Sequence, residues 1–194
     1  MKPVIAVFTE NDTDRNYLCS TLTMLFSSYL EVIPLTLSTV GVIKSPPRAV
    51  LVNTTSQPYA ERLFPESQIL YATRFLNGNN LDRLMNLPDG KEILVVNKPR
   101  KVAEEMVDNL LTLGINHLKL VPYWPGSDMD TEPFDTAVYA GFRYYCPDNI
   151  RNCIDLGYRS LMPSVLTRII QIYDLPSDFM DQVQIQSVKL VVDG

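Results

Sequence analysis

The sequence predicts an α/β protein with parallel sheets flanked by helices, a first lobe and a second, smaller α/β lobe. Three observations predict it. Apolar runs of strand length recur along the chain, with Val4–Phe8, Ala49–Val52 and Glu92–Val96 the clearest. They alternate with stretches whose apolar residues fall at helical spacing, and most runs end in a polar cluster suited to a turn or a helix cap. With 194 residues, 46% hydrophobic and 20% charged, the chain is long and apolar enough to bury a core in each lobe, which excludes disorder.

In chain order, Val4–Phe8 reads as a buried strand closed by Thr9-Glu10-Asn11-Asp12. Leu18, Leu22, Leu25, Phe26 and Tyr29 then mark a helix with one apolar face. Residues 31–37 read as a second strand, placed at a sheet edge by Pro34. Residues 39–47 form a loop. Residues 49–52 and 68–72 read as strands three and four, with a short helix between them and another carrying Leu81, Leu84 and Met85 after them. The run 92–96 is a strand ending at Asn97-Lys98-Pro99, and Ala103, Met106, Val107, Leu110 and Leu111 form the cleanest helical stripe, capped by Gly114. Residues 118–123 are a strand closed by Trp124-Pro125-Gly126, so strand, helix and strand make a parallel crossover unit. Residues 135–140 read as a strand, 142–146 as another, and 154–159 as a short, partly buried segment. Met162, Val165, Leu166, Ile169, Ile170 and Tyr173 form a second helical stripe. These boundaries give a first lobe over 1–88, a second over 89–176, and a linker over 177–194 leading to a missing downstream domain.

Charge and composition narrow the function. Seventeen Lys and Arg stand against 22 Asp and Glu, a net charge of -5. Direct nucleic-acid binding is not expected of such a surface, because that affinity comes mainly from neutralising phosphates. No apolar run approaches the roughly 20 residues of a membrane span, and the N-terminal run is too short for a secretory signal. Three scattered cysteines make no disulfide framework, so a reducing, cytoplasmic location is expected. His117 is the one histidine and the eight glycines form no phosphate-binding loop. No catalytic residue, metal or cofactor is assigned.

Ligands of open parallel sheets bind beyond the carboxyl ends of the strands. The candidate ligand-binding residues are therefore Thr9, Glu10, Asn53, Thr54, Thr73, Arg74, Asn97, Lys98, Tyr123 and Trp124. Thr9, Asn53, Thr73 and Asn97 are expected on one side of the first sheet, with Tyr123 and Trp124 closing the site from the second lobe. Lys98 and Arg74 bring positive charge to an acidic protein and favour an anionic small-molecule effector such as a carboxylate. Tyr123 and Trp124 offer flat apolar walls.

Residues 1 to about 112 resemble response-regulator receiver domains. Glu10 and Asp12 match the acidic residues after strand one, Thr73 the hydroxyl after strand four, and Lys98-Pro99 the Lys-Pro after strand five. The phosphoacceptor position holds Asn53, whose amide cannot form an acyl phosphate. A longer resemblance runs through EILVVNKPRKVAEEMVDNLLTLGINHLKLVPYWPG and FDTAVYAGFRYYCPDNIRNCIDLGYRSLMPSVLTRII. These stretches are similar to the sensory N-terminal region of bacterial activators that carry a PAS domain and an AAA+ module, propionate-catabolism regulators among them. The resemblance implies a cytoplasmic, non-enzymatic input domain of a transcriptional regulator, followed in the full-length protein by signalling and DNA-binding modules. A homodimer, formed through the C-terminal apolar stripe, is expected over a monomer. The alternatives are a small α/β enzyme that acts on an anionic metabolite through Glu10, Asp12, Lys98 and Arg74, and a degenerate receiver that works by dimerisation.

Overall fold

The computed structural model describes residues 2–42, 46–76, 78–176 and 179. Its elements run β1 (Val4–Phe8), α1 (Asp12–Phe26), β2 (Glu31–Leu35), β3 (Ala49–Val52), α2 (Gln57–Leu63), β4 (Gln68–Tyr71), β5 (Arg74–Phe75) and α3 (Leu81–Met85). They continue with β6 (Glu92–Val96), α4 (Arg100–Thr112), β7 (Lys119–Tyr123), β8 (Thr136–Tyr139), β9 (Asn152–Asp155), β10 (Ser160–Leu161) and α5 (Pro163–Ile172). Single 3-10 turns lie at Val40–Val42 and Arg143–Tyr145.

The chain forms two units. The first takes the chain up to Thr73 and again from Leu161; the second is Arg74–Ser160. Each is built on a four-stranded parallel sheet, of order β2-β1-β3-β4 in the first and β7-β6-β8-β9 in the second. This is the doubly wound order of receiver- and flavodoxin-like folds without a fifth strand. The short strands β5 and β10 pair with each other where the chain passes between units.

The central strands are apolar on both faces because both faces are covered. In the first unit, Ile5, Val7 and Leu51 meet α1 and α5 through Leu18, Leu22, Phe26, Leu166 and Ile169. Phe8, Val50 and Val52 face Ala60 and Phe64 on the other side, where Phe8 and Phe64 stack edge to face at 5.8 Å. Burying each such large side chain contributes about 1.5–3 kcal/mol. In the second unit, Ile93, Val95 and Val138 pack under Leu84, Met106 and Leu110, while Leu94, Val96, Ala137 and Tyr139 lie under Cys146 and Ile150. One edge strand of each sheet carries a proline as its fourth residue, Pro34 in β2 and Pro122 in β7, positions where a missing N–H leaves no ladder bond unmade.

Three expectations need correction. The unit boundary lies at Thr73 and Arg74, not at residue 88, and α5 returns to the first unit rather than closing the second. Helical spacing shows that Val165, Leu166, Ile169 and Ile170 must be buried; it does not say which sheet buries them. Here the first sheet does, and the Tyr173 hydroxyl fastens the helix by donating to the Val4 carbonyl at 2.7 Å and accepting from the Ala49 N–H at 3.1 Å. Residues 142–146 are not a strand. Phe142, Tyr144 and Tyr145 stack on one another, with Tyr144 and Tyr145 at 4.5 Å, instead of alternating between two faces. The fourth strand of the second sheet is instead β9, which begins two residues before the segment read from sequence. Most of the linker 177–194 lies outside the described residues, but Phe179 is buried against Phe26 and Tyr29 of the first unit, with ring centroids at 5.5 and 4.8 Å.

Candidate functional site: two strand-end rims

A ligand site of a doubly wound sheet belongs where the connections leave in opposite directions, between the ends of the first and third strands. Each unit has one such point, at β1 and β3 in the first and at β6 and β8 in the second. The ten residues named from sequence divide between them. Thr9, Glu10, Asn53, Thr54 and Thr73 lie in the first unit; Arg74, Asn97, Lys98, Tyr123 and Trp124 lie in the second. The expectation that Asn97 would join Thr9, Asn53 and Thr73 on the rim of the first sheet is therefore corrected: Asn97 and Lys98 follow the first strand of the second sheet. The receiver correspondence for Lys98-Pro99 fails for the same reason. Arg74 ends no strand of either large sheet; it sits in β5, where its carbonyl accepts from Arg159 Nη2 at 2.9 Å.

The first rim is bound up with itself. The Asn11 side chain caps α1 by accepting from the Asp14 N–H at 3.0 Å, and Thr9 Oγ1 donates to the Asn11 carbonyl at 2.9 Å. Buried Arg15 donates to the Thr9 carbonyl at 2.9 Å and pairs with Asp12. Asn53 uses both ends of its amide: Nδ2 donates to Asp14 Oδ2 at 3.0 Å, while Oδ1 accepts from the Ser56 N–H and the Thr55 hydroxyl, each at 3.0 Å. The Ser56 hydroxyl in turn accepts from the Glu10 N–H at 3.1 Å, joining the β1 and β3 ends. Thr54 and Tyr71 join hydroxyl to hydroxyl. Asn53 thus holds a turn together, in the place where a receiver would carry its reactive carboxylate.

The second rim differs. Asn97 is buried and structural: its N–H donates to the Tyr123 carbonyl at 3.1 Å, its Oδ1 accepts from the Lys98 N–H at 2.8 Å, and its Nδ2 points at Met106 Sδ, 2.9 Å away. The next residues are cationic. Exposed Lys98 precedes Pro99, then Arg100 and Lys101 open α4, whose start no side chain caps. Cations there oppose the helix dipole; the Val102 N–H already donates to the Pro99 carbonyl at 2.9 Å, which leaves the Arg100 and Lys101 N–H groups at the helix start for an anion. Arg100 pairs with Glu104 at 2.7 Å and lies over the half-buried Trp124 ring, 5.1 Å from its centroid.

At the other end of this rim, Asp155 Oδ1 accepts from the N–H groups of both Gly141 and Gly157 at 2.9 Å. Gly141 has φ +77, and a Cβ there would lie 2.6 Å from the Tyr158 ring, so only glycine lets the ring lie against this turn. The sequence candidates for this rim, Lys98 and Trp124 among them, leave out Arg100, Lys101 and Asp155. The first two stood next to Lys98-Pro99 as a visible basic run. Asp155 was hidden because its strand carries one fully buried residue, Ile154.

Among the described residues, no group of three or more His, Cys, Asp or Glu could hold a metal, and no helix is long and apolar enough to cross a membrane. No protein-family model and no curated protein matches the chain.

Proposed function

We propose that this chain is a non-enzymatic sensory input module that binds a small anionic effector at the β6–α4 turn and passes the signal to downstream modules of a bacterial transcriptional regulator. The single observation that carries the reading is the charge of that turn. Lys98, Arg100 and Lys101 surround an uncapped helix start at the switch point of the second sheet, in a protein of net charge -5. Trp124, already under the Arg100 guanidinium, supplies a flat wall for the carbon part of a carboxylate ligand. The first rim supports the same reading, since the Asp12 and Asp14 carboxylates and the Asn11 and Asn53 amides are engaged in ion pairs and hydrogen bonds that hold its turns. The downstream modules and the cytoplasmic location rest on the resemblance to the sensory regions of PAS and AAA+ activators.

A thermal-shift screen of succinate, citrate, benzoate and inorganic phosphate tests the proposal. A ligand that binds only the folded chain raises its melting temperature. At least one organic anion should do so, and Lys98→Ala combined with Arg100→Ala should abolish the shift while leaving the far-UV circular dichroism unchanged. No shift with any anion, or a shift that survives the double substitution, overturns the placement.

A further inference from the structure

The chain's three cysteines are all free, but two of them meet. β9 pairs with β8 so that Cys153 stands beside Ala137, and Asp155 beside Tyr139. The chain returns over this face after the 3-10 turn and brings Cys146 down onto Ala137 and Tyr139, where Cys153 also packs. Both thiols belong to the same packed cluster on this face, and Cys153 is near enough to Cys146 to help raise its pKa. Cys146 is buried, with 6% exposed. Cys153 is half-buried, and its Sγ donates to the Ile150 carbonyl at 3.7 Å. This is a dithiol with one accessible and one enclosed sulfur, eight residues of chain from end to end.

We propose that Cys146 and Cys153 form a reversible disulfide in response to a peroxide, with Cys153 reacting first and Cys146 resolving. The Cys153 thiolate attacks one peroxide oxygen. The O–O bond breaks, the departing hydroxide takes up a proton as water, and the sulfur is oxidised to a sulfenic acid. The Cys146 sulfur then attacks the Cys153 sulfur. The S–O bond breaks, and the hydroxyl leaves with the Cys146 proton as a second water. The difference in access sets this order. Burial first, and then neighbouring Cys153, pushes the Cys146 thiol up to about 12, which keeps it protonated until a sulfenic acid stands beside it. The bond would tie the segment behind Phe142, Tyr144 and Tyr145 to β9, within one strand of the second rim.

Trypsin makes the test direct, because Arg143, Arg151 and Arg159 place the two thiols in separate peptides, 144–151 and 152–159. The whole chain is treated with hydrogen peroxide, alkylated and digested. The expected product is those two peptides joined by a disulfide, two alkylation sites lost together, Cys19 still alkylated, and full recovery with dithiothreitol. Cys146→Ser should leave a sulfenic acid on Cys153 that dimedone traps, whereas Cys153→Ser should leave Cys146 unoxidised under the same treatment. Both thiols remaining open to alkylation in the wild-type chain, a link to Cys19, or a bond formed only between two chains would each overturn the proposal, and the wild-type measurement decides without relying on either variant's folding.

Discussion

The first and second units repeat one plan at almost constant spacing. β6 starts 88 residues after β1 (Val4, Glu92), α4 starts 88 after α1 (Asp12, Arg100), and β7 starts 88 after β2 (Glu31, Lys119). Pro34 and Pro122 take equivalent places in the two edge strands, and the registers β1–β2 and β6–β7 match residue for residue. At the turns between strand and helix the likeness ends. Glu10 is answered by Lys98, and Asp12 by Arg100, so one turn is acidic and capped and the other basic and uncapped. The buried strands share a pattern because any residue at those positions must be apolar on both faces. The turns face water, where charge costs little, so they are the places free to diverge. Topology and chemistry separate cleanly between these two layers of the sequence.

The largest expected difference between the units is in their cores. Phe8 and its counterpart Val96 both end a first strand and are each 1% exposed, but only Phe8 stacks on a second ring. Phe8→Ala should cost about 3–5 kcal/mol, and Val96→Ala about 2 kcal/mol. Urea unfolding followed by hydrogen exchange places each loss in its own unit, and the single tryptophan, Trp124, reports the second by fluorescence. Equal losses would break the comparison.

Next in size is Gly141→Ala. The positive φ alone costs about 1–2 kcal/mol, and the new Cβ must also displace the Tyr158 ring. Gly114→Ala, with φ +90 and open space around it, should cost only the backbone part. Denaturation midpoints that coincide for the two variants would remove the packing role given to Tyr158.

Tyr173→Phe comes third, at about 1–3 kcal/mol, because the Ala49 N–H loses its buried acceptor. The same residue ties the first unit's stability to alkaline pH. Burial raises Tyr173 from 10.0 to about 12, and burial raises Cys146 from 9.0 to about 12. A pKa raised by folding means that the contribution is fully present below the unfolded value and is lost as pH rises through the folded one. Cys146 should therefore weaken the second unit above pH 9.0 and Tyr173 the first above pH 10.0; in the first unit Cys19, also raised by burial, adds a loss that begins at pH 9.0. Denaturation midpoints measured across this range should decline less in Cys146→Ser, while Tyr173→Phe should flatten only the upper part.

The smallest stability effects belong to the turns. Glu10→Lys and Lys98→Glu should each change stability by no more than about 0.5 kcal/mol, as exposed charges do. Lys98→Glu alone should abolish the thermal shift given by an organic anion. A loss of that shift in Glu10→Lys as well would show that the two turns are not chemically distinct.

By itself the sequence determined the local structure wherever one period dominates. The apolar runs of β1, β3, β6 and β8, the stripes of α1, α4 and α5, the edge position of Pro34 and the cap at Gly114 are all legible, because burial and backbone chemistry act over a few neighbouring residues. It also exposed Lys98 and Trp124 as residues that close strands. Only the tertiary structure decided which sheet receives which element. Whether α5 covers the first sheet or the second, and whether Glu92–Val96 extends the first sheet or begins another, depends on partners distant in sequence, and an apolar face is equally satisfied by either. For the same reason Asn53 reads as a rim residue in sequence and emerges as the knot of a turn, and Cys146 and Cys153 read as scattered thiols until β9 and the returning chain bring them together. Hydrogen-bond partners and thiol neighbours are set by the path of the backbone through space, which local periodicity does not encode.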